Sequence, residues 1–286
     1  MSFSSAFRYP FQNLAKVLSI VLVLTIAFAV FIGLMLNSHD WSPLLDQISA
    51  LDSAEHDIGD MEAMGATPFI GLVGLVVVAV VSGFWISGYS VEVIRSIWNE
   101  IGYMPGIDFG RNLKDGFYLF LSSVAYWILF IVLLVVETIV LQATSSLGAI
   151  NALLVIVGVA VTIITGAVMG WAYFVGMARF AAEGDHRAAY QIRRNMGIAR
   201  ANWTKGAGLL VYMIALSIIY GAIRTMVDGV FGGVAGMLGI TLSVVIYYLF
   251  NLMQHFSTQH LIAQYAVQIG IGGGDYDASK DKVDFG

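Results

Sequence analysis

Glu137 is the residue in this chain best placed to do chemistry, because it is the ionisable side chain that lies well inside an apolar run. A carboxylate in such a run is by default a candidate for handling an ion or a substrate. It also lies about one turn from the outer end of its run, where it can reach headgroups or water. A third use is pairing: Arg224 falls near the same outer level, and Glu137 with Arg224 would make an intramembrane polar pair. His255 and His260 are five positions apart, which on a helix turns them about 140° from each other, so they cannot share a metal as an i,i+4 pair does. Asp52, Glu55, Asp57, Asp60 and Glu62 are dense enough to attract a cation. They lack the order of a calcium loop, because Ala54 and His56 stand where oxygen donors are needed. A solvated acidic loop is the expectation, and a docking surface for a basic partner is the alternative. The glycines of Gly270–Gly274 follow no strand and precede no helix, so they do not read as a phosphate loop. No Ser-His-Asp set, metal-ligand spacing or pair of intramembrane carboxylates is present, and the chain is expected to be no enzyme and to carry no cofactor.

The elements that hold these residues follow from composition. Of 286 residues, 58% are hydrophobic and 12% charged, with mean hydropathy +0.81. Soluble domains average about a quarter charged residues. Several runs reach the roughly 20 apolar residues needed to cross a hydrocarbon core. The absence of Cys excludes disulfides, iron–sulfur ligation and covalent c-type haem. Nucleic acid is not an expected partner, since the bases stand beside apolar runs.

The expected fold is an all-α integral membrane protein of six spans, at about 17–36, 68–87, 117–141, 150–177, 206–223 and 234–256, arranged as three helical hairpins. Residues 1–268 form this domain and 269–286 a flexible tail, while residues 1–16 are a short arm before the first span. Orientation comes from charge. The stretch 179–205 holds six of the 14 bases, including Arg187, Arg193, Arg194, Arg200 and Lys205, and short basic loops stay in the cytoplasm. Residues 37–67 carry seven acids and no base, so they belong outside. Both termini are then cytoplasmic, in the inner (plasma) membrane, and Arg224 is the one base left outside.

Amphipathic stretches fill the cytoplasmic loops. Val91, Ile94, Ile97, Trp98 and Ile101 share one face opposite Glu92, Arg95, Asn99 and Glu100, which predicts an interfacial helix ended by Pro105-Gly106. Residues 188–203 predict a second, with Ile192, Met196 and Trp203 on its apolar side. Gly166 with Gly170, and Gly232 with Gly236, allow close helix approach in lipid. Trp41, Trp85, Trp98, Trp171 and Trp203 are expected at interfaces, and Trp127 in packing.

Three short motifs recur around the cytoplasmic ends: Phe7-Arg8-Tyr9-Pro10-Phe11 with Lys16; Gly88-Tyr89 with Val93-Ile94-Arg95 and Lys114-Asp115-Gly116; and Ala178-Arg179-Phe180-Ala181 with Glu183-Gly184, Ala189-Tyr190 and Asn202-Trp203. In these the chain resembles, over roughly residues 7–268, the bacterial and archaeal membrane family catalogued as domain of unknown function 4013. The resemblance implies a multi-pass helical fold and no particular activity. On the residues alone, the expected role is an accessory or scaffold subunit of a larger membrane assembly. Its partners would be membrane lipid and other membrane-protein subunits or further copies of itself. A small transporter using Glu137 with Thr162, Thr165, Ser217 and Asn251, and a lipid- or quinone-binding protein, are the alternatives.

Overall fold

The computed structural model describes residues 1–37, 66–99, 104–231 and 237–272, and the acidic stretch 52–62, Gly232 and Gly236 lie outside them. The described chain is helical: α1 (Phe3–Gln12), α2 (Leu14–Asn37), α3 (Ala66–Trp98), α4 (Phe109–Ala143), α5 (Ala149–Glu183), α6 (Arg187–Tyr190), α7 (Ile192–Ala201), α8 (Trp203–Phe231) and α9 (Met237–Gln268). Four stretches among them are long and apolar enough to cross a membrane: Val73–Trp98, Phe109–Ala143, Ala149–Glu183 and Trp203–Val227. The broken pair α1–α2 makes up to five.

The described chain divides into two compact units, one of residues 18–83 and one of residues 1–17 with those from 84 onward. The first contains the apolar helical stretches 18–37 and 66–83. The second carries the polar clusters.

Within that larger unit the buried side chains gather at one end of the long helices. α3 buries Tyr89, Val91, Val93 and Ile94 completely, α5 buries Ala172 and Val175 to Ala181, and α9 buries Phe256 and Leu261 to Ala266. Farther along α4 and α5 the apolar side chains face outward, as at Ile139 (60% exposed), Ile156 (67%) and Ile163 (66%). Such exposure is unfavourable in water and costs nothing in hydrocarbon. The two regions of the same helices therefore answer to two solvents, with protein packing at the basic end and lipid beyond it.

This division changes the reading of the first surface helix. Residues 91–98 are no separate interfacial element but the last turns of α3. Their apolar face packs on α9, where the indole Nε1 of Trp98 donates to the Ala263 carbonyl at 3.0 Å, and just before this stretch Tyr89 meets Phe256 edge-on. Their polar face is occupied too, by the ion pairs described below. A helix with partners on both faces has no side left for a lipid surface.

The arm 1–16 is likewise ordered rather than loose. Ser2 caps α1, and its backbone N–H donates to Gln264 Oε1 of α9 at 2.5 Å. Asn13 accepts from the Met104 backbone N–H at 2.8 Å, and Lys16 Nζ donates to the Met104 and Pro105 carbonyls at 2.8 and 2.6 Å.

α3 and α4 meet backbone to backbone at a pair of glycines. A Cβ on Gly88 would overlap the Asn112 carbonyl, and one on Gly116 would overlap the Phe84 carbonyl. Only glycine at both positions lets these backbones meet.

Candidate functional site

Two arginines organise the basic end. The first is Arg179, on the last turns of α5 and 2% exposed. Its guanidinium spends its donors on four residues. Nε and a terminal nitrogen both reach Glu183 Oε1 at 2.9 Å, and Gln191 Oε1 accepts at 3.0 Å. Asn195 Oδ1 accepts at 2.8 Å and the Ala188 carbonyl at 3.5 Å. The Asn195 amide nitrogen then donates to the Tyr126 hydroxyl at 3.0 Å and to the Ala188 carbonyl at 3.0 Å. Tyr126 passes its own proton toward the Ala172 and Ala189 carbonyls, both at 3.3 Å. One continuous network thus ties α4, α5, α6 and α7 together. Gly176 makes room for it: a Cβ there would stand 2.7 Å from the Asn195 amide.

Arg95 is the second, at the end of α3. Its Nε donates to the Ala181 carbonyl of α5 at 3.0 Å, and a terminal nitrogen reaches Glu92 at 2.5 Å and Asp115 of α4 at 3.4 Å. Arg111 adds a contact to Glu92 at 2.9 Å, and the guanidinium of Arg95 lies over the Phe180 ring at 5.8 Å. Charge-assisted bonds of this kind fix orientation as well as adding energy. The two arginines grip the same end of α5, Arg179 from within it and Arg95 from outside.

Near the first cluster, Tyr190 donates to the Tyr118 carbonyl at 3.0 Å. Burial, and then the neighbouring Tyr118, raise its phenol above the ordinary range, so it stays a neutral donor at physiological pH.

The second surface helix is found, but shorter and turned. It breaks at Gln191, and α7 runs only to Ala201. Asn195 and Ala199 are its buried residues, with Ile192 and Met196 at its flanks and Trp203 63% exposed. The demand of Arg179 and Tyr126 for the Asn195 amide outweighs the apolar pattern, because a buried guanidinium left without an acceptor costs more than a half-exposed Ile.

Glu137 and Arg224 are not brought together. Glu137 accepts a short hydrogen bond from the Thr162 hydroxyl of α5, with its carboxyl packed over Gly158. Arg224 instead lies over the Tyr247 ring at 5.0 Å. Of the other polar groups expected beside Glu137, Ser217 accepts from Gln254 at 2.9 Å and Asn251 donates to the Tyr247 carbonyl. The packing of Glu137 over Gly158, one turn before Thr162, follows from the α4–α5 hairpin, which turns at Gly148 (φ +52°). Residues equally far from that turn face each other: Thr144 bonds Asn151 at 3.1 Å, Glu137 covers Gly158, and Phe130 lies 3.4 Å from where a Gly166 Cβ would be. Gly158 is therefore a packing glycine that sequence reasoning passed over. Gly166 is packed as well, while Gly170 has nothing within 4 Å.

A double-mutant cycle of Glu137→Gln with Thr162→Val is expected to show coupling of about 1 kcal/mol in unfolding stability, a usual size for polar pairs in membranes. Glu137→Gln with Arg224→Gln should add without coupling.

The histidines are separate. His255 bonds the Ser90 hydroxyl at 2.7 Å, whereas His260 faces Gln264 at 2.8 Å and the Tyr9 ring at 5.0 Å. Among the described residues no three His, Asp or Glu side chains converge on a common point. Trp85 and Trp98 are buried (7% and 8% exposed), whereas Trp127, expected in packing, faces outward at 59%. Depth in sequence does not fix which way a ring points.

The family model for DUF4013, a protein of unknown function, matches residues 71–228, which is more than half of the chain. The chain belongs to the DUF4013 family. The match runs from α3 to the end of α8, so it contains Gly88, Arg95, Gly116, Arg179 and Asn195, every residue of the two arginine clusters. The Phe7–Lys16 motif lies before it. No curated protein and no solved structure matches the chain.

Proposed function

We propose that this DUF4013 protein is a non-catalytic membrane scaffold, an accessory subunit that holds other membrane proteins. One observation carries the reading: the charged groups of the Arg95 and Arg179 clusters, the part of the basic end that joins the helices, are consumed internally. Arg95, Glu92, Asp115, Arg179 and Glu183 bond one another or backbone carbonyls, which fixes helix ends. A catalytic constellation needs a nucleophile or base left free to meet a substrate. Here the donors are committed to architecture. The long outward-facing stretches of α4 and α5 then offer a rigid apolar surface to neighbours in the bilayer.

In this proposal six helices span the plasma membrane and both termini are cytoplasmic. The positive stretch 179–205, the acidic stretch 37–67 and the apolar runs 17–36 and 234–256 support it. The Cys-free chain makes topology easy to read. With Asp52→Cys and Arg194→Cys made singly, an impermeant maleimide on intact cells should label the first and spare the second. Labelling of Arg194→Cys alone would reverse the orientation.

The scaffold itself is tested by purification from native membranes in mild detergent, followed by mass measurement. Stoichiometric co-purifying membrane protein is expected. A lone monodisperse monomer, also uncrosslinked in the membrane before extraction, would remove the reading. The transporter alternative draws on the Glu137–Thr162 pair, a carboxylate and a hydroxyl shared by two spans. It requires acid-driven proton entry into proteoliposomes that Glu137→Ala abolishes.

A further inference from the structure

We infer that the surface formed by α6, α7 and the start of α8 binds the headgroups of anionic phospholipids in the leaflet where α5 ends and α8 begins. This goes beyond the scaffold reading and does not depend on it.

The first observation is charge without counter-charge. Between Arg187 and Lys205 the chain carries five cations and no acid. Arg187, Arg193, Arg194 and Arg200 are exposed, and apart from a 3.4 Å contact of Arg194 with Gln191 their side chains have no partner among the described residues. The neighbouring acids are already used: Glu183 holds Arg179, and Asp185 caps the Arg187 backbone N–H and stands 3.8 Å from His186. This differs from Arg95, Arg111 and Arg179, which are all satisfied by acids. The fold thus contains two kinds of arginine, and this set is left facing outward.

Position comes from chain length. α5 has 35 residues, about 52 Å of helix at 1.5 Å per residue, against a hydrocarbon core of about 30 Å. Its basic end therefore stands clear of the core. α7 packs back along it by Asn195 and Ala199, and the chain enters α8 at Trp203. That return places Arg200, Trp203 and Lys205 around the start of α8, with Arg193 and Arg194 about 10 Å away along α7.

Trp203 supplies the third observation. It is 63% exposed at the first position of a span-length helix. Exposed indoles at such junctions rest among headgroups and glycerol, with the ring in the apolar layer and the N–H in the polar one. A soluble polyanion would use the arginines but gain nothing from an indole at this depth. A phosphodiester lipid uses both, and a negative leaflet adds roughly 1 kcal/mol per nearby cation.

The test is a thermal-shift titration of the full detergent-solubilised chain with dioleoylphosphatidylglycerol, dioleoylphosphatidylcholine and inorganic phosphate. A saturable rise in midpoint with phosphatidylglycerol alone is expected. At low salt each of Arg193→Gln, Arg194→Gln and Arg200→Gln should weaken apparent affinity roughly five-fold, and the triple variant roughly a hundred-fold. Lys114→Gln, an exposed cation elsewhere, should change nothing. Equal shifts with both lipids, or a triple variant as responsive as wild type, would overturn the inference. So would an equal response to inorganic phosphate, which would mark a soluble-anion site. If the triple variant does not fold, quenching of wild-type fluorescence by brominated phosphatidylglycerol decides, read against Trp203→Phe. Preferential quenching of Trp203 by the brominated anionic lipid over brominated phosphatidylcholine supports the site, and equal quenching removes it.

Discussion

Gly116→Leu is expected to yield no folded protein, and Gly116→Ala to lower unfolding stability by about 3 kcal/mol or more, at the upper end of the overpacking range. The reason is what a Cβ would strike. At Gly116 it meets the Phe84 carbonyl, and at Gly88 the Asn112 carbonyl, both of them backbone. A side chain in the way can rotate aside, but a helix backbone can only be pushed off. Separating α3 from α4 would also pull Asp115 away from Arg95, so packing and ion pairing fail together. Gly170→Ala is the control, with nothing within 4 Å of the added methyl. There the alanine should be neutral or stabilising by about 0.5–1 kcal/mol, because glycine is costly inside a helix. The readout is the fraction of monodisperse protein left after heating in detergent. Equal midpoints for Gly116→Ala and Gly170→Ala would mean the helices do not cross where described.

Arg179→Met is the second large effect, with an expected loss of about 3–5 kcal/mol, the range seen when one partner of a buried charged network is removed. The methionine fills the volume but leaves the buried Asn195 Oδ1 without its guanidinium donor, while Gln191 Oε1 keeps its 3.4 Å contact with Arg194. Glu183 loses less, since its side chain is 43% exposed and can turn to water. Arg179→Lys should recover only part of the loss, because one ammonium cannot reproduce a fork that reaches α5, α6 and α7 at once. Asn195→Ala, removing the group that joins Arg179 to Tyr126, should be strongly non-additive with Arg179→Met. Simple additivity in that cycle would show that the network is not one unit.

Hydrophobic length is written in the order of residues, and it was readable. The apolar runs 117–141 and 150–177 lie inside α4 and α5, and 206–223 inside α8. The family was readable too, from short motifs around Arg95 and Arg179. The hairpin register about Gly148 was available in principle, since residues equally far from a tight turn must face one another. What a linear pattern could not give was the second solvent. Residues 91–98 have the amphipathic period of a helix lying on lipid, yet the apolar side meets α9 and the polar side meets Arg111 and Asp115. Periodicity reports that a helix has two faces and is silent on what covers either one.

Glu137 and Arg224 show the same limit. Depth placed them at one level, but direction around the helix axis gave Glu137 to Thr162 and Arg224 to Tyr247. The sequence by itself determined which stretches are long and apolar enough to cross a membrane, because hydropathy is a sum over neighbouring residues. Only the tertiary structure decided which arginines are locked inside and which face outward, because that depends on the acceptors other helices bring within about 3 Å.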